Sequence, residues 1–215
     1  MTAAKPRGAT GVQIGEAQAR GMVMQGAAMV FFQKGARAAS VEDILEAARI
    51  SRRTFYRLYE SKDDVLLALY KVGTDRLVTE CARVAQERTD PIHIVEGFID
   101  AHLRNAQQLG RLVFVLGGEA SRQESILHAA RMEAHATLVD ILTEKMPPHD
   151  PWLTRGLLLA LEGVTRMMLE SCDEGRKVTA AAVARVRRVM MRMATASIAG
   201  DGPQVSPVPL PPEKP

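Results

Sequence analysis

The sequence predicts an all-α protein. Ala, Leu, Met, Glu and Arg are abundant and favour helices, whereas aromatic residues, which favour strands, make up only 4% of the 215 residues. Helix-start and helix-stop signals recur along the chain, and no segment convincingly reads as a strand. We therefore expect about nine helices, arranged as an N-terminal domain of three helices and a C-terminal helical bundle.

The first four helices follow from serine caps and one glycine stop. A Ser followed three residues later by Asp approximates a capping box, in which each residue bonds the backbone of the other. A Gly after an apolar helical stripe ends a helix. These signals predict helix one from Glu16 to Gln33 before Gly35, helix two from Ser40, a short helix three from Ser51, and helix four from Ser61 to about Arg88.

The last five helices follow from similar signals. Asp-Pro is an N-cap followed by proline at the first helical position, and Ser with Glu three residues later is a full capping box. The predicted elements are helix five from Asp90 to Gly110, one or two turns over 111–117, helix seven from Ser121 to before Pro147, helix eight from Asp150 to Gly175, and helix nine from Thr179 to Ala199.

Both ends of the chain lack helical periodicity. We expect residues 1–15 to form a flexible arm carrying Lys5 and Arg7. Residues 201–215 contain six prolines and are expected to be disordered, either as solvated chain or as a Pro-rich segment for a partner. The predicted domains between them are 16–62 and 63–200.

Composition excludes several classes of protein. Apolar residues at 47% and charged residues at 25% are ordinary for a globular chain. No stretch approaches 18 consecutive apolar residues, and no apolar leader precedes a cleavage site, so we expect neither a membrane helix nor a secretory signal. Cys81 and Cys172 match neither a disulfide framework nor a zinc spacing. We expect a soluble, cytoplasmic protein.

Positive charge is concentrated near the N-terminus. Residues 1–62 hold ten Lys/Arg and five Asp/Glu, whereas residues 63–200 hold seventeen and eighteen. Such asymmetry indicates nucleic acid or an anionic membrane surface as a partner. A solvated basic face is the alternative on charge alone.

Residues 40–62, SVEDILEAARISRRTFYRLYESK, have helix-turn-helix spacing. Two short amphipathic helices meet at a tight turn at residues 48–50, and the second helix of such a motif lies in the major groove of DNA. Arginine identifies guanine, and hydroxyls suit phosphate oxygens. The predicted DNA contacts in and around the second helix are Ser40, Ser51, Arg52, Arg53, Thr54, Tyr56, Arg57 and Lys62. A helical hairpin with a solvated basic side is the alternative.

The pattern S-V-E-D-I-x-x-A-A-x-I-S-x-x-T-F-Y-x-x-Y-x-S-K-D-x-x-L resembles the N-terminal domain of the TetR family of transcriptional repressors. The preceding helix, with Ala-Ala-x-x-Phe-Phe-x-x-Gly from Ala27 to Gly35, is similar to that family's first helix. The resemblance covers about residues 20–69; beyond it only helix count and length agree.

Three positions depart from the family pattern. Arg49 stands where the family usually has Gly in the turn, Leu58 where it often has His or another polar residue, and Leu45 where it usually has a small Ala. A left-handed Arg49 carries about 1 kcal/mol of strain, or else gains a phosphate contact. Leu58 removes one customary backbone contact.

The resemblance implies a C-terminal domain that dimerises through the last two helices. Helix eight is apolar on nearly all sides and needs cover from a partner or from a bundle. A monomer core built from the same helices is the alternative. The residues predicted for a four-helix homodimer interface are Leu157, Leu161, Val164, Met168, Val183, Val186, Met190 and Met193.

The resemblance also implies a small-molecule pocket enclosed by helices four to eight. Polar residues within apolar stripes are the candidates to line it, although such residues are often satisfied core groups. The predicted pocket residues are Phe98, His102, His128, Met132, His135 and Glu162. Abundant Met and Phe favour a hydrophobic ligand.

Neither a phosphate loop, a dinucleotide fingerprint nor a nucleophile elbow occurs, so we expect no catalytic residues, cofactor or metal. His128 and His135 are about 10 Å apart along one helix face, too far to share a metal without other ligands. The resemblance implies a TetR-type repressor that binds a palindromic operator as a dimer and is released by a small ligand. The alternatives are a helical ligand-binding protein or enzyme without DNA function, and a DNA-binding protein whose regulator is another protein.

Overall fold

A computed structural model describes residues 15–146, 151–173 and 176–199, and these ranges contain nine α-helices and no strand. The helices are α1 Glu16–Ala38, α2 Val41–Ala48, α3 Arg52–Leu58, α4 Lys62–Glu87, α5 Pro91–Leu109, α6 Arg111–Ala120, α7 Leu127–Lys145, α8 Pro151–Asp173 and α9 Ala180–Ala199. Within those ranges, no helix has the length and apolar character needed to cross a membrane. The predicted N-terminal arm up to residue 14, the Asp150 cap, the Gly175 stop and the tail 201–215 lie outside the described residues.

Most predicted helix starts are confirmed by their hydrogen bonds. Ser40 Oγ accepts from the Asp43 N–H, and Asp43 in turn accepts from the Ser40 N–H. The same reciprocal pair joins Ser61 and Asp64. Single caps begin three more helices, in which the N–H groups of Thr54, His93 and Ala182 donate to Ser51, Asp90 and Thr179. Each cap satisfies a backbone donor that has no partner inside its helix.

Three boundaries differ from the prediction. Gly35 interrupts the helical backbone with φ 79°, as a stop should, yet one more helical turn follows to Ala38. The segment after Gly110 is a full ten-residue helix, α6. Ser121 does not cap α7, because residues 121–126 form turns in which Ser121 Oγ donates to the Gly118 carbonyl and Glu124 pairs with Arg122. Ser125 caps α7 instead, accepting from the Leu127 N–H.

The described residues form two compact units. The first contains residues 15–73 and 115–130, and the second contains 74–114 together with the described part of 131–199. Three helices, α4, α6 and α7, contribute residues to both units. The segment 115–130 is grouped with the N-terminal helices, and Arg37 of α1 pairs with Glu119 there at 3.4 Å. The domain boundary at residue 62 stays a prediction.

The first unit depends on a close approach of α1 and α2. A Cβ built on Gly26 would lie 2.7 Å from the backbone nitrogen of Ala48, so only glycine fits this point of α1. Around it, the apolar stripe of α1 is buried together with Ile44 and Phe55 of the next two helices. This contact fixes α2, and α3 follows α2 after a short turn.

The second unit has its core between α4, α5, α7, α8 and α9. Phe98, Ile99 and Leu103 of α5 are almost completely buried there. At the edge of this core, Arg187 of α9 donates to Asp100 at 2.7 Å and to Glu96 at 2.5 Å. These carboxylates on α5 hold α9 in register against it.

The core of the second unit contains several residues of the predicted dimer interface. Leu161, Val186 and Met190 are buried inside the chain itself, because their faces of α8 and α9 point into the bundle. The partly buried Leu157, Val164, Met168 and Val183 pack against the same core. Of the predicted set, Met193 is exposed.

We predict that Gly26→Ala destabilises the protein by about 1–3 kcal/mol, because the added methyl group displaces the backbone of α2. Thermal unfolding monitored by circular dichroism measures the effect. Gly21→Ala in the same helix is the matched control, since its Cβ would meet nothing within 4 Å and alanine favours a helix. Equal melting temperatures for the two variants would contradict the close approach.

Candidate nucleic-acid interface

The interface is built on α2, a tight turn and α3. Ile44 and Ala48 are buried on one face of α2, and Phe55 and Leu58 are buried on the inner face of α3. The turn contains Arg49 with φ 52° and ψ 42°, the one non-glycine residue with positive φ in the described chain. The structure thus has the two packed helices and sharp turn of a helix-turn-helix motif.

Arg49 occupies the left-handed conformation that usually favours glycine. Its N–H donates to the Glu46 carbonyl, and the Ile50 N–H donates to the Leu45 carbonyl, so the free carbonyls at the end of α2 are satisfied. An arginine here carries about 1 kcal/mol of strain. The exposed side chain of Arg49 projects from the turn that leads into α3.

The outer face of α3 is basic and exposed. Arg52, Arg53, Tyr56 and Arg57 all lie on it, and Tyr56 is 48% exposed while its ring packs edge-on against Phe55. Among the residues that the structure describes, neither Arg53 nor Arg57 has an ion-pair partner. The inner face is meanwhile closed by apolar contacts, so α3 presents donors on one side only.

Arg52 has an acidic neighbour on α2. Its guanidinium group pairs with Glu42, ten residues earlier across the turn. A backbone hydrogen bond and this guanidinium lower the pKa of the Glu42 carboxyl. The pair orients Arg52 along the surface, and the remaining N–H groups of its planar guanidinium stay available to a second acceptor.

The predicted hydroxyl contacts are part of the helix caps. Ser51 Oγ accepts from the Thr54 N–H at 3.1 Å and lies 2.9 Å from Thr54 Oγ1. Ser40 Oγ accepts in its own capping box, which leaves its O–H to donate outward. The caps therefore hold these hydroxyls at the starts of α2 and α3.

Lys62 is turned toward α1. Its ammonium group donates to the carbonyl oxygens of Ala36 and Ala39 at 3.0 Å, and to that of Arg37 at 3.5 Å. These three acceptors match the three donors of an ammonium group. These bonds hold the start of α4 against the end of α1. The contact of Lys62 with the DNA backbone stays a prediction.

A second charged contact supports α2. Lys34 of α1 donates to Asp43 at 2.6 Å. This bond, followed by the hydrogen bonds from Ser40, lowers the pKa of Asp43 from 3.8 to about 2. The carboxylate that caps α2 thus stays ionised well below neutral pH.

The predicted pocket residues are only partly brought together. In the second unit, Phe98 is buried, His102 donates to its carbonyl, and Glu162 and His135 act electrostatically on His102. Met132 is exposed on α7. His128 belongs to the first unit, where its buried Nδ1 has no hydrogen-bond partner among the described residues.

An apolar crevice lies elsewhere in the second unit, between α5, α7, α8 and α9. Its volume of about 10 Å³ accommodates about one water molecule. It is lined by Val95, Leu142, Met146, Leu153, Thr154, Leu157, Ser197 and Ile198. None of the predicted pocket residues lines it.

Sequence reasoning missed the partner of Glu162. Arg131 of α7 donates to both carboxylate oxygens, at 2.8 and 2.6 Å. A glutamate in an apolar helix signals a buried polar contact, but no sequence spacing identifies a partner 31 residues away. The pairs of Arg52 and Lys62 were missed for the same reason.

No group of three or more His, Cys, Asp or Glu residues in the described ranges is placed to hold a metal ion. Burial raises the pKa of Cys81 to about 12, so this thiol is not a nucleophile at neutral pH.

The N-terminal region matches a known family. Residues 23–69 fit the family model described as "Bacterial regulatory proteins, tetR family". The match contains α2, the turn and α3 with most of α1, which are the elements that form the basic surface. Among curated protein sequences, none matches this chain.

Solved structures with the same fold include three regulators. The fatty acid degradation regulator FadR from Bacillus halodurans is 19% identical, with a TM-score of 0.66 over 80% of this chain and 97% of that one. FadR from Bacillus subtilis, solved in complex with stearoyl-CoA, is 15% identical, with a TM-score of 0.69 over 82% of this chain and 98% of that one. PfmR from Thermus thermophilus is 23% identical, with a TM-score of 0.59 over 84% of this chain and 96% of that one.

We predict that Arg49→Gly stabilises the protein by about 1 kcal/mol, because glycine adopts the left-handed turn without strain. Urea unfolding at equilibrium gives the value. Arg57→Gly is the control: it places glycine within helical α3 and is expected to cost about 1 kcal/mol. Destabilisation by both substitutions would show that the turn carries no strain.

Proposed function

Since residues 23–69 form the N-terminal domain of the TetR family of transcriptional regulators, we propose that this chain represses transcription by binding a palindromic operator as a homodimer. A small apolar effector bound by the second unit releases it from DNA. The observation that carries the proposal is the exposed arginine-rich face of α3, held outward by a buried Phe55 and Leu58 on its other side.

We propose two kinds of contact with DNA, to base edges and to phosphates. We assign Arg52, Arg53 and Tyr56 to the major groove, where guanidinium groups donate in pairs to guanine. The contacts to phosphates, which fix the register of α3, are assigned to the hydroxyls of Ser40 and Ser51, to Thr54 and to Arg57. Lys62 keeps α4 on the end of α1.

Exposed apolar side chains on α8 and α9 support the dimer. Trp152, Leu159 and Met167 are exposed along one stripe of α8, and Val189 and Met193 along α9. Gly156 and Gly163 lie on the same α8 stripe, and a Cβ on either would meet nothing within 4 Å, which permits close helix approach. We propose these stripes as the interface that places two α3 helices about 34–36 Å apart, one turn of DNA.

The effector is proposed from the core and from a relative. The core of the second unit consists mainly of aliphatic residues and includes Phe98. The Bacillus subtilis regulator of the same fold was solved with stearoyl-CoA. We propose that an apolar molecule shifts α4, which begins in the first unit and ends in the second. Coupling of this kind is typically worth about 1–3 kcal/mol.

Selection of bound fragments from random duplex DNA tests the function directly. The proposal predicts enrichment of one palindromic site, with log affinity falling steeply against log salt concentration. Recovery of unrelated fragments, or no retained duplex at low salt, would overturn it.

We predict that Arg53→Ala weakens binding to the selected duplex about 10–100-fold, as the loss of a base contact does. Affinity for a scrambled duplex of equal length should change much less. Fluorescence anisotropy at fixed salt measures both, with Arg76→Ala in the second unit as a control of equal charge change. Equal losses on the two duplexes would reassign Arg53 to a phosphate.

We predict that Leu159→Glu converts the dimer to monomers, because two carboxylates would be buried at the pair of α8 stripes. Sedimentation velocity at micromolar protein concentration gives the mass. Met132→Glu on α7, whose side chain is exposed to a similar extent, should remain a dimer. A dimeric Leu159→Glu protein would place the interface elsewhere.

A further inference from the structure

Four polar side chains, three partly buried and one buried, lie on helices that form the core of the second unit. They are His102 of α5, His135 of α7, and Glu162 and Thr165 of α8, and we call them the polar layer. Packing contacts show that α5 and α8 run in the same direction, since Val95 shares a crevice with Leu157, and Ala106 packs in one cluster with Leu169. This register places His102 at the level of Thr165.

The one acid of the polar layer already has a counter-ion. Arg131 donates to both oxygens of Glu162, so the carboxylate has its counter-ion. Arg155, the other cation that acts on His135, is held over an aromatic ring of α8. Burial lowers the pKa of His102 and of His135, which makes both imidazoles neutral at neutral pH. His102, His135 and Thr165 therefore offer an uncharged polar surface beside the bidentate ion pair of Arg131 and Glu162.

Hydrogen-bonding capacity remains unused in the layer. Thr165 is only 7% exposed, and neither its Oγ1 nor the buried Nε2 of His135 has a partner among the described residues. His102 Nδ1 lies 2.9 Å from the Phe98 carbonyl and must donate to it, so Nε2 of the neutral ring is an acceptor. Buried polar atoms without partners are costly and rare in native proteins.

We propose that the polar layer binds the hydroxyl group of an otherwise apolar effector. A hydroxyl both donates and accepts, so it supplies a partner to the unpartnered Thr165 Oγ1 or His135 Nε2 and donates to Nε2 of His102. A carboxylate would lose its hydration beside the like charge of Glu162, whose two oxygens already engage Arg131. An ammonium group would find that carboxylate already bound to Arg131. This inference rests on the proposed function, since it names the chemistry of the effector.

Three probes with one alkyl chain test the proposal on the full-length protein. They are 1-octanol, which donates and accepts, methyl octanoate, which only accepts, and octanoate, which is charged. Isothermal titration calorimetry in the absence of DNA is expected to show 1-octanol binding at least about tenfold more tightly than octanoate, with methyl octanoate between them. Equal or tighter binding of octanoate would overturn the proposal.

Thr165→Val supplies the second arm, because it removes the unpartnered hydroxyl and keeps the shape of the side chain. It should raise the melting temperature of the free protein and abolish the preference for 1-octanol over methyl octanoate. Thr154→Val is the matched control, a buried threonine on the same face of α8 beside the apolar crevice. It should keep the preference. A Thr165→Val protein that melts lower and keeps the preference would show that the layer is satisfied by water or by the protein itself.

Failure of this inference is separable from failure of the proposed function. Affinity of Thr165→Val for the selected duplex, without any probe, should equal that of the wild type. If no duplex is selected, the calorimetric order of the three probes still decides the chemistry of the layer.

Discussion

The helix-turn-helix depends on the contact between Gly26 of α1 and Ala48 of α2. Because no side chain separates the two helices, α2 lies close enough to α1 to share its apolar stripe, and the chain must then turn sharply at Arg49. The turn directs Phe55 and Leu58 inward, and the helical period leaves the arginines of α3 outward. The exposed surface of α3 is basic because its apolar residues Phe55 and Leu58 are buried on the opposite side.

Charged contacts hold this arrangement in place. The ammonium group of Lys62 joins the start of α4 to three carbonyl oxygens at the end of α1. Lys34 and Asp43 fix the start of α2, and Glu42 orients Arg52. Most of these side chains are exposed, where an ion pair contributes about 0–1 kcal/mol. Their main effect is therefore on geometry: they position α3 and its arginines, while the apolar core supplies most of the stability.

Local signals were readable from the sequence, and long-range pairs were not. The caps at the starts of α2, α3 and α5 depend on residues three apart, so pattern alone located them. The same pattern failed at Ser121. Its hydroxyl donates to the Gly118 carbonyl, and Glu124, the other residue of the expected capping box, pairs with Arg122. For α8 and α9 the sequence indicated apolar stripes, but it did not say which stripe packs inside the chain, and Met190 is buried while Met193 is exposed. The partner of Glu162, Arg131, could be identified only from the folded structure, because the two residues are 31 positions apart.

Arginine footprinting tests most directly the claim that the outer face of α3 meets DNA. Phenylglyoxal modification of the protein, read by mass spectrometry with and without the selected duplex, reports the access of each guanidinium group. The account predicts that Arg52, Arg53 and Arg57 are protected by the duplex, while Arg76 and Arg188 of the second unit react as before. Protection confined to the second unit, with the arginines of α3 still fully reactive, would contradict it.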